Sequence, residues 1–432
     1  MKSRITWESV KDRSFEDLKH EAVERLNETS EGLIEWGHRA KDRNYPFLFQ
    51  WQIDAPFNGF THATSRVMAG LRRAGVLDKV ISEDEKKLGL AWIRSIYDEA
   101  SKNYIDPFLL SAKPRLFLEA SAVNREKTGE DLPWPPTGAV REGLNHYSYM
   151  SYKLFGGDGE HYLDPPEGWP RREDARETLW PWLASFGPVD MAHSWTGRVL
   201  DRAVAWYRDG YIDMDPIKKA ILVLYKNQDP KTAIMGANHV RTFKILITLW
   251  ECLWDLPIQY PKTMINHHID MLLSNSWDGE NNEGYVNPCA EFDLWYNIGR
   301  AMDWAPGYRE AEIRKLAAWR ILRVIDDFVT EDKGMTTCPI PSPEGCRLDG
   351  YWIVGDGNRS NIGDAFGVNI FSHGLAICNG IIGGGSDTLF TDKWWSKQQP
   401  DSFIGFSGTQ KVNDEIVGAV LEEYTPDLEG GV

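Results

Sequence analysis

Apolar positions along this chain recur at intervals of three and four, and few stretches alternate with period two, so the pattern predicts helices almost throughout. Residues 14–40 read as one long amphipathic helix, with Ser14 as cap and Asp17 at the third helical position. An aromatic loop, Tyr45 to His62, enters a second helix that runs to about Ala74 and is stopped by Gly75. A third helix spans about Glu83 to Ser101, and a fourth follows Pro107. Further helices are predicted near 172–185, 194–208, 215–227, 239–255, 260–274, 289–304, 309–329 and 363–382. Gly210, the Asp229-Pro230 step, Pro257, Gly307 and Gly334 supply the stops.

Three segments break this rhythm. Residues 124–145 carry Leu132-Pro133-Trp134-Pro135-Pro136-Thr137-Gly138, which suits neither a helix interior nor a central strand, and helical spacing resumes at Glu142. A Gly/Pro-rich excursion follows at 156–170, and a third occupies 334–362, with a short strand expected at Tyr351–Val354. They read as loop insertions in a single domain over 1–432 rather than as linkers between domains.

Loop lengths alternate. Long polar loops precede the helices starting near 59, 194, 238, 289 and 362, and short turns precede those near 215, 259 and 309. Helix hairpins with every long loop on one face predict an all-α fold, an (α/α)6-type toroid whose inner helices start at a common mouth. The weak internal repeat, roughly 45–60 residues, lies in the range of helical-repeat architectures. An open α-solenoid fits the same spacing, but its repeats should resemble one another, and these do not.

The stretch 277–300 carries the densest candidate chemistry. Asp278, Glu280, Asn281, Asn282, Glu283 and Tyr285 fall within eight positions, then Asn287 and Pro288 open a helix as cap and first residue. Phe292, Trp295, Tyr296 and Gly299 recur at helical spacing behind them, so one face is buried. Such a loop is either a solvated turn whose acids cap the helix or the rim of a binding pit.

In the toroid reading, residues at the starts of inner helices converge: Asp54, Asn58 and His62; His193 and Trp195; Asn238 and His239; Glu283, Tyr285, Glu291 and Asp293; Asp356, Arg359, Asn361 and Asp364. Asn282 and Trp352 belong to the same rim. Helix N-termini add positive dipole ends, which suits an anionic or hydroxyl-rich ligand. Taken singly, Asp364 and Asn238 read first as helix caps, His62 equally as a core histidine, and Arg359 as a partner of Asp356.

The stretch Asp349–Asp364 and the run Met235-Gly236-Ala237-Asn238-His239-Val240-Arg241 resemble the inner-helix starts of carbohydrate-active (α/α) toroid enzymes. Those include unsaturated glucuronyl hydrolases and the helical domains of polyuronate lyases. The resemblance covers residues 190–385 in style and implies a sugar substrate, but no catalytic assignment carries over from it.

Composition narrows the field. With 48 basic and 64 acidic residues the net charge is −16, which disfavours nucleic acid as a partner. Nineteen Trp exceed ordinary core needs and offer flat platforms for sugar rings. The N-terminus shows no secretory pattern and the chain no 18-residue apolar stretch, so a cytoplasmic protein with no membrane partner is expected. The five Cys are odd in number; Cys338 and Cys346 flank a Pro-rich loop and either pair or stay reduced. No metal-ligand spacing is present, since His267 and His268 point to different helix faces, and neither metal nor cofactor is expected.

The leading expectation is a glycoside hydrolase acting on small acidic oligosaccharides, with Glu283 paired with Asp364, Glu291 or Asp54. A β-eliminating lyase would use Asn238 and Arg359 on the uronate carboxylate and His239 or Tyr285 on the proton. An isoprenoid cyclase or isomerase would use an aromatic cavity with Asp326-Asp327 as an acidic motif, although the spacing misses by one. A non-catalytic scaffold would not gather acids, His and Trp on one mouth. The oligomeric state is left open.

Overall fold

The structure, a computed structural model, describes residues 5–53, 61–99, 103–107, 124–130, 139–157, 170–185, 194–236, 238–250, 252–274, 288–336, 362–390 and 409–430. It is predominantly helical. Its paired strands among these residues are the two-residue pieces Tyr97–Asp98 and Asn103–Tyr104. The chain falls into two compact units, one comprising Met1–Glu167, Ala318–Asn379 and Gly384–Thr391, the other Gly168–Ala317, Gly380–Gly383 and Asp392–Val432.

In the first unit the long helix Phe15–Ala40 opens where Ser14 Oγ accepts from the Asp17 amide at 3.1 Å. Leu18, Ala22, Leu26, Leu33 and Trp36 form its buried stripe. Ser82 and Glu85 close a capping box at the start of Glu83–Ser95. The helix Thr61–Arg73 packs along Ala139–Leu154. It also crosses Ala365–Ile382 closely: a Cβ on Gly70 would sit 2.6 Å from the Val368 carbonyl oxygen, so only glycine admits this approach. Phe328 stacks on Phe371 at 4.3 Å deep in the same core.

In the second unit the helices Ser194–Arg208, His239–Leu249 and Pro288–Trp304 are successive neighbours, although another helix intervenes in sequence between each pair. Pro261–Ser274 packs against Pro288–Trp304. Phe243 binds the seam between the second and third of these neighbours, edge-on to Phe292 at 4.7 Å and to Tyr296 at 5.2 Å.

Most predicted helices are present within a few residues of their predicted bounds. Two of these helices and one predicted loop differ for visible reasons. The third helix ends at Ser95 rather than Ser101, because the small hairpin at 97–104 takes over. The helix from His239 ends at Leu249 rather than 255, where Trp250 Nε1 donates to the Leu256 carbonyl and wraps the chain into a turn. The predicted loop 124–145 is partly helical: 124–128 form a turn of helix and Ala139–Leu154 begins three residues before Glu142. The sequence reading also lacked the helix Gln410–Glu423, capped by Thr409. The fourth helix expected after Pro107, the strand at 351–354, and nearly all of 156–170 and 334–362 lie outside the described residues.

One composition reading is corrected. Ala365–Ile382 is 18 residues long with mean hydropathy 1.4, long and apolar enough to cross a membrane, yet 89% of it is buried inside the protein. Its Asn369, Ser372, His373 and Asn379 interrupt the apolar run and hide it from a scan for uninterrupted apolar residues. Cys252 and Cys378 are buried and form no disulfide among the described residues, and Cys252 Sγ donates to Asp201 Oδ1 at 2.7 Å, while Cys338 and Cys346 lie outside the described residues.

Candidate functional site

Helix starts position the polar groups of the second unit. Asn238 sits in extended backbone and its Oδ1 accepts from the Arg241 amide at 3.0 Å, capping the helix that follows. His239, the first residue of that helix, is therefore turned inward and buried. Pro288 opens the neighbouring helix, and helical spacing places Asp293, Asn297 and Arg300 on one face of it. All three are buried, in a helix that also carries Glu291 and Asp303.

Asn297 organises this cluster. Its Nδ2 donates to the His239 carbonyl at 3.1 Å and lies 3.0 Å from His268 Nε2. His268 Nδ1 lies 2.8 Å from the Met264 carbonyl, so the proton is on Nδ1 and Nε2 accepts. Burial, aided by His239, pushes the His268 pKa down to about 3, and the ring is neutral at physiological pH. His268 thus serves as a fixed acceptor rather than a proton shuttle.

Asp293 lies one turn before Asn297 and has 1% of its surface exposed. No described residue hydrogen-bonds to its Oδ2. Burial pushes its pKa up to about 8, against the opposing charge of Lys244. A carboxyl group that holds its proton at neutral pH is suited to general acid work. Glu291 is equally buried, but it accepts the Trp295 indole N–H at 2.8 Å.

The first unit holds a separate polar cluster at the start of Thr61–Arg73. Asp106 accepts from the Thr61 amide at 2.9 Å and from its hydroxyl at 2.8 Å, capping the helix from a distant segment. His62 is buried beneath, stacked on Tyr147 with ring centroids 3.8 Å apart and edge-on to Trp51 at 5.2 Å. Burial, reinforced by Arg66, holds its pKa well below the usual histidine value. Arg66 Nε lies 3.4 Å from His62 Nε2, and its Nη2 donates to the Tyr147 hydroxyl.

The other expected site residues are placed as follows. Asp364 is fully buried and its Oδ1 accepts from the Gly367 amide at 2.8 Å, which makes it the cap of Ala365–Ile382. Trp195 lies in the helix Ser194–Arg208. Asp54, Asn58, His193, Asn282, Glu283, Tyr285, Trp352, Asp356, Arg359 and Asn361 lie outside the described residues. The structure therefore joins His239 to Asn297 and His268, and shows Asn238 and Asp364 as caps.

The acidic motif at 326–327 is occupied by ion pairs, Asp326 with Arg25 at 2.8 Å and Asp327 with Arg323 at 2.7 Å. Among the described residues no three His, Cys, Asp or Glu side chains gather as a metal site. A surface cleft of the second unit, lined by Arg176, Trp180, Asp213 and Lys219, contains none of the expected site residues.

Two residues emerge with more weight than the sequence reading gave them. Asp293 stands among the converging helix-start residues without a role; its signal is the i, i+4 spacing with Asn297 on a face flanked by Phe292, Trp295 and Tyr296. Arg66 was not singled out, although a basic residue four positions after His62 in a run of small and apolar residues is visible in the sequence. No family model, curated protein or solved structure matches the chain.

Proposed function

We propose that the chain is a carbohydrate-active enzyme, a glycoside hydrolase that cleaves small uronic-acid-containing oligosaccharides. In this reading residues 1–432 form one (α/α)6-type toroid, the enzyme is cytoplasmic, and no cofactor takes part. The neighbour relation of Ser194–Arg208, His239–Leu249 and Pro288–Trp304 supports the toroid, because inner helices of such a ring adjoin every second element in sequence.

The observation that carries the reading is Asp293, a buried carboxyl group one turn before Asn297 on the helix Pro288–Trp304, whose Oδ2 has no hydrogen-bond partner among the described residues. It is the proton donor to the glycosidic oxygen, and Glu283, five residues before this helix in sequence, is the partner carboxylate. Asp364 leaves the catalytic set, since its side chain is spent on a cap. In the lyase alternative Asn238 Oδ1 already caps a helix, and its Nδ2 is the atom that would donate to a uronate. The isoprenoid alternative loses its acidic motif to Arg25 and Arg323.

The test is a panel of neutral and uronic-acid oligosaccharides, followed for reducing ends and for ultraviolet absorbance of a new C=C bond. Reducing ends without new absorbance, or absorbance lost from an already unsaturated substrate, support hydrolysis. Absorbance rising with the ends establishes elimination instead, and silence across the panel removes the carbohydrate reading.

A further inference from the structure

We propose that Arg66, in the first unit, anchors the carboxylate of a sugar acid, with the rings of Tyr147 and Phe366 as the walls of its slot. The choice of a sugar acid rests on the hydrolase reading; the anion site rests on the geometry below.

Arg66 is half-buried, and no carboxylate pairs with it among the described residues. Its guanidinium carbon lies 4.7 Å from the Tyr147 ring centroid and 5.0 Å from that of Phe366. Rings at these distances strip water from the guanidinium and leave its edges as the places for hydrogen bonding. Two donors are committed, Nε toward His62 and Nη2 toward the Tyr147 hydroxyl. Both Nη1 hydrogens and one on Nη2 make no hydrogen bond among the described residues, and together they present the two parallel N–H bonds that a carboxylate accepts in fork geometry. The fork alone accepts a carboxylate or a phosphate; the ring hydroxyls of a sugar acid are what favour it over inorganic phosphate.

Groups suited to the rest of a hydroxyl-rich ligand stand nearby. The Trp51 indole N–H is buried and has no acceptor among the described residues, and its ring lies 5.2 Å from His62. Asn369 is fully buried, one turn along its helix from Phe366, and neither atom of its amide is hydrogen-bonded among the described residues. A buried amide and a buried indole N–H without partners are rare, because each costs the desolvation of a polar group. A sugar hydroxyl, both donor and acceptor, satisfies either.

The test is calorimetric titration of the full chain with D-glucuronate, D-glucose and inorganic phosphate, using wild type, Arg66→Gln and Arg66→Lys. Glucuronate should bind the wild type at least about tenfold tighter than glucose or phosphate, and Arg66→Gln should lose at least about tenfold. Arg66→Lys, which keeps the charge and loses the fork, should fall between them and covers the case in which Arg66→Gln does not fold. Glucuronate binding unaffected by either Arg66 variant, binding no tighter than glucose, or tighter binding of phosphate overturns the proposal. Glucuronate binding that depends on Arg66, with no oligosaccharide cleaved, sinks the hydrolase reading and leaves this site. Cleavage with glucuronate binding indifferent to Arg66 does the reverse.

Discussion

Asn297 fixes His268 in a single tautomer, its Nδ2 lying 3.0 Å from His268 Nε2 while the opposite ring nitrogen faces the Met264 carbonyl. The same amide also reaches the His239 carbonyl, so one side chain ties three helices of the second unit together. Replacing it by alanine leaves a buried imidazole nitrogen and a buried carbonyl without their donor. Asn297→Ala should therefore lose about 2–3 kcal/mol in urea unfolding. A loss within the error of extrapolation would show that the amide is not the tie described.

His268 and Asp293 pull stability in opposite directions as pH changes. With its folded pKa near 3, His268 stays neutral in the folded chain, whereas the unfolded chain protonates it below about 6.5. Its contribution is full above that value and is lost as pH falls, by about 1.4 kcal/mol per pH unit. Asp293 behaves conversely. The unfolded chain ionises it from about 3.9, while the folded chain keeps the proton to about 8. Its contribution is full below the lower value and is lost as pH rises to the upper. Asp293→Asn should therefore stabilise the protein by about 2–4 kcal/mol near pH 8 and by little near pH 4. Urea midpoints for both proteins across this range check the sign; an equal effect at both ends would contradict it.

The Asp364 side chain should behave as a cap. Asp364→Ala should lower stability by about 1–2 kcal/mol, with Asp364→Asn losing less, and turnover of the folded variants should stay at the wild-type level. Collapse of turnover in a well-folded Asp364→Asn would return this residue to the catalytic set.

Gly75 ends its helix with φ +70°, and a Cβ there would lie 1.9 Å from the Leu389 carbonyl oxygen. Both facts oppose any larger residue. Gly75→Ala should lose more than about 2 kcal/mol, read from thermal or urea unfolding. A neutral result would show that the turn relaxes away from Leu389.

Much of this was legible in the sequence because local rules decided it. Ser14 with Asp17, Pro288, Gly75 and Gly307 announce helix ends through capping and left-handed backbone, and the ends fall there. The caps at Asn238 and Asp364 follow from the same rules. What sequence could not give depends on partners far along the chain. Asp106 caps Thr61 from 45 residues away, and no local signal announces that. Asp293 differs from Glu291 only in what surrounds it: Glu291 meets the Trp295 indole one turn on, whereas Asp293 Oδ2 meets no hydrogen-bond partner among the described residues. Arg66 gains its weight from Tyr147 and Phe366, which come from two other helices.

The most direct test compares release of reducing ends from a uronic-acid oligosaccharide by wild type and Asp293→Asn at neutral pH. If Asp293 donates the proton, the variant folds, binds substrate, and loses about 10²- to 10⁴-fold in kcat with no new ultraviolet absorbance in either protein. Undiminished turnover in Asp293→Asn, or absorbance of a new double bond growing with the reducing ends, would contradict the account.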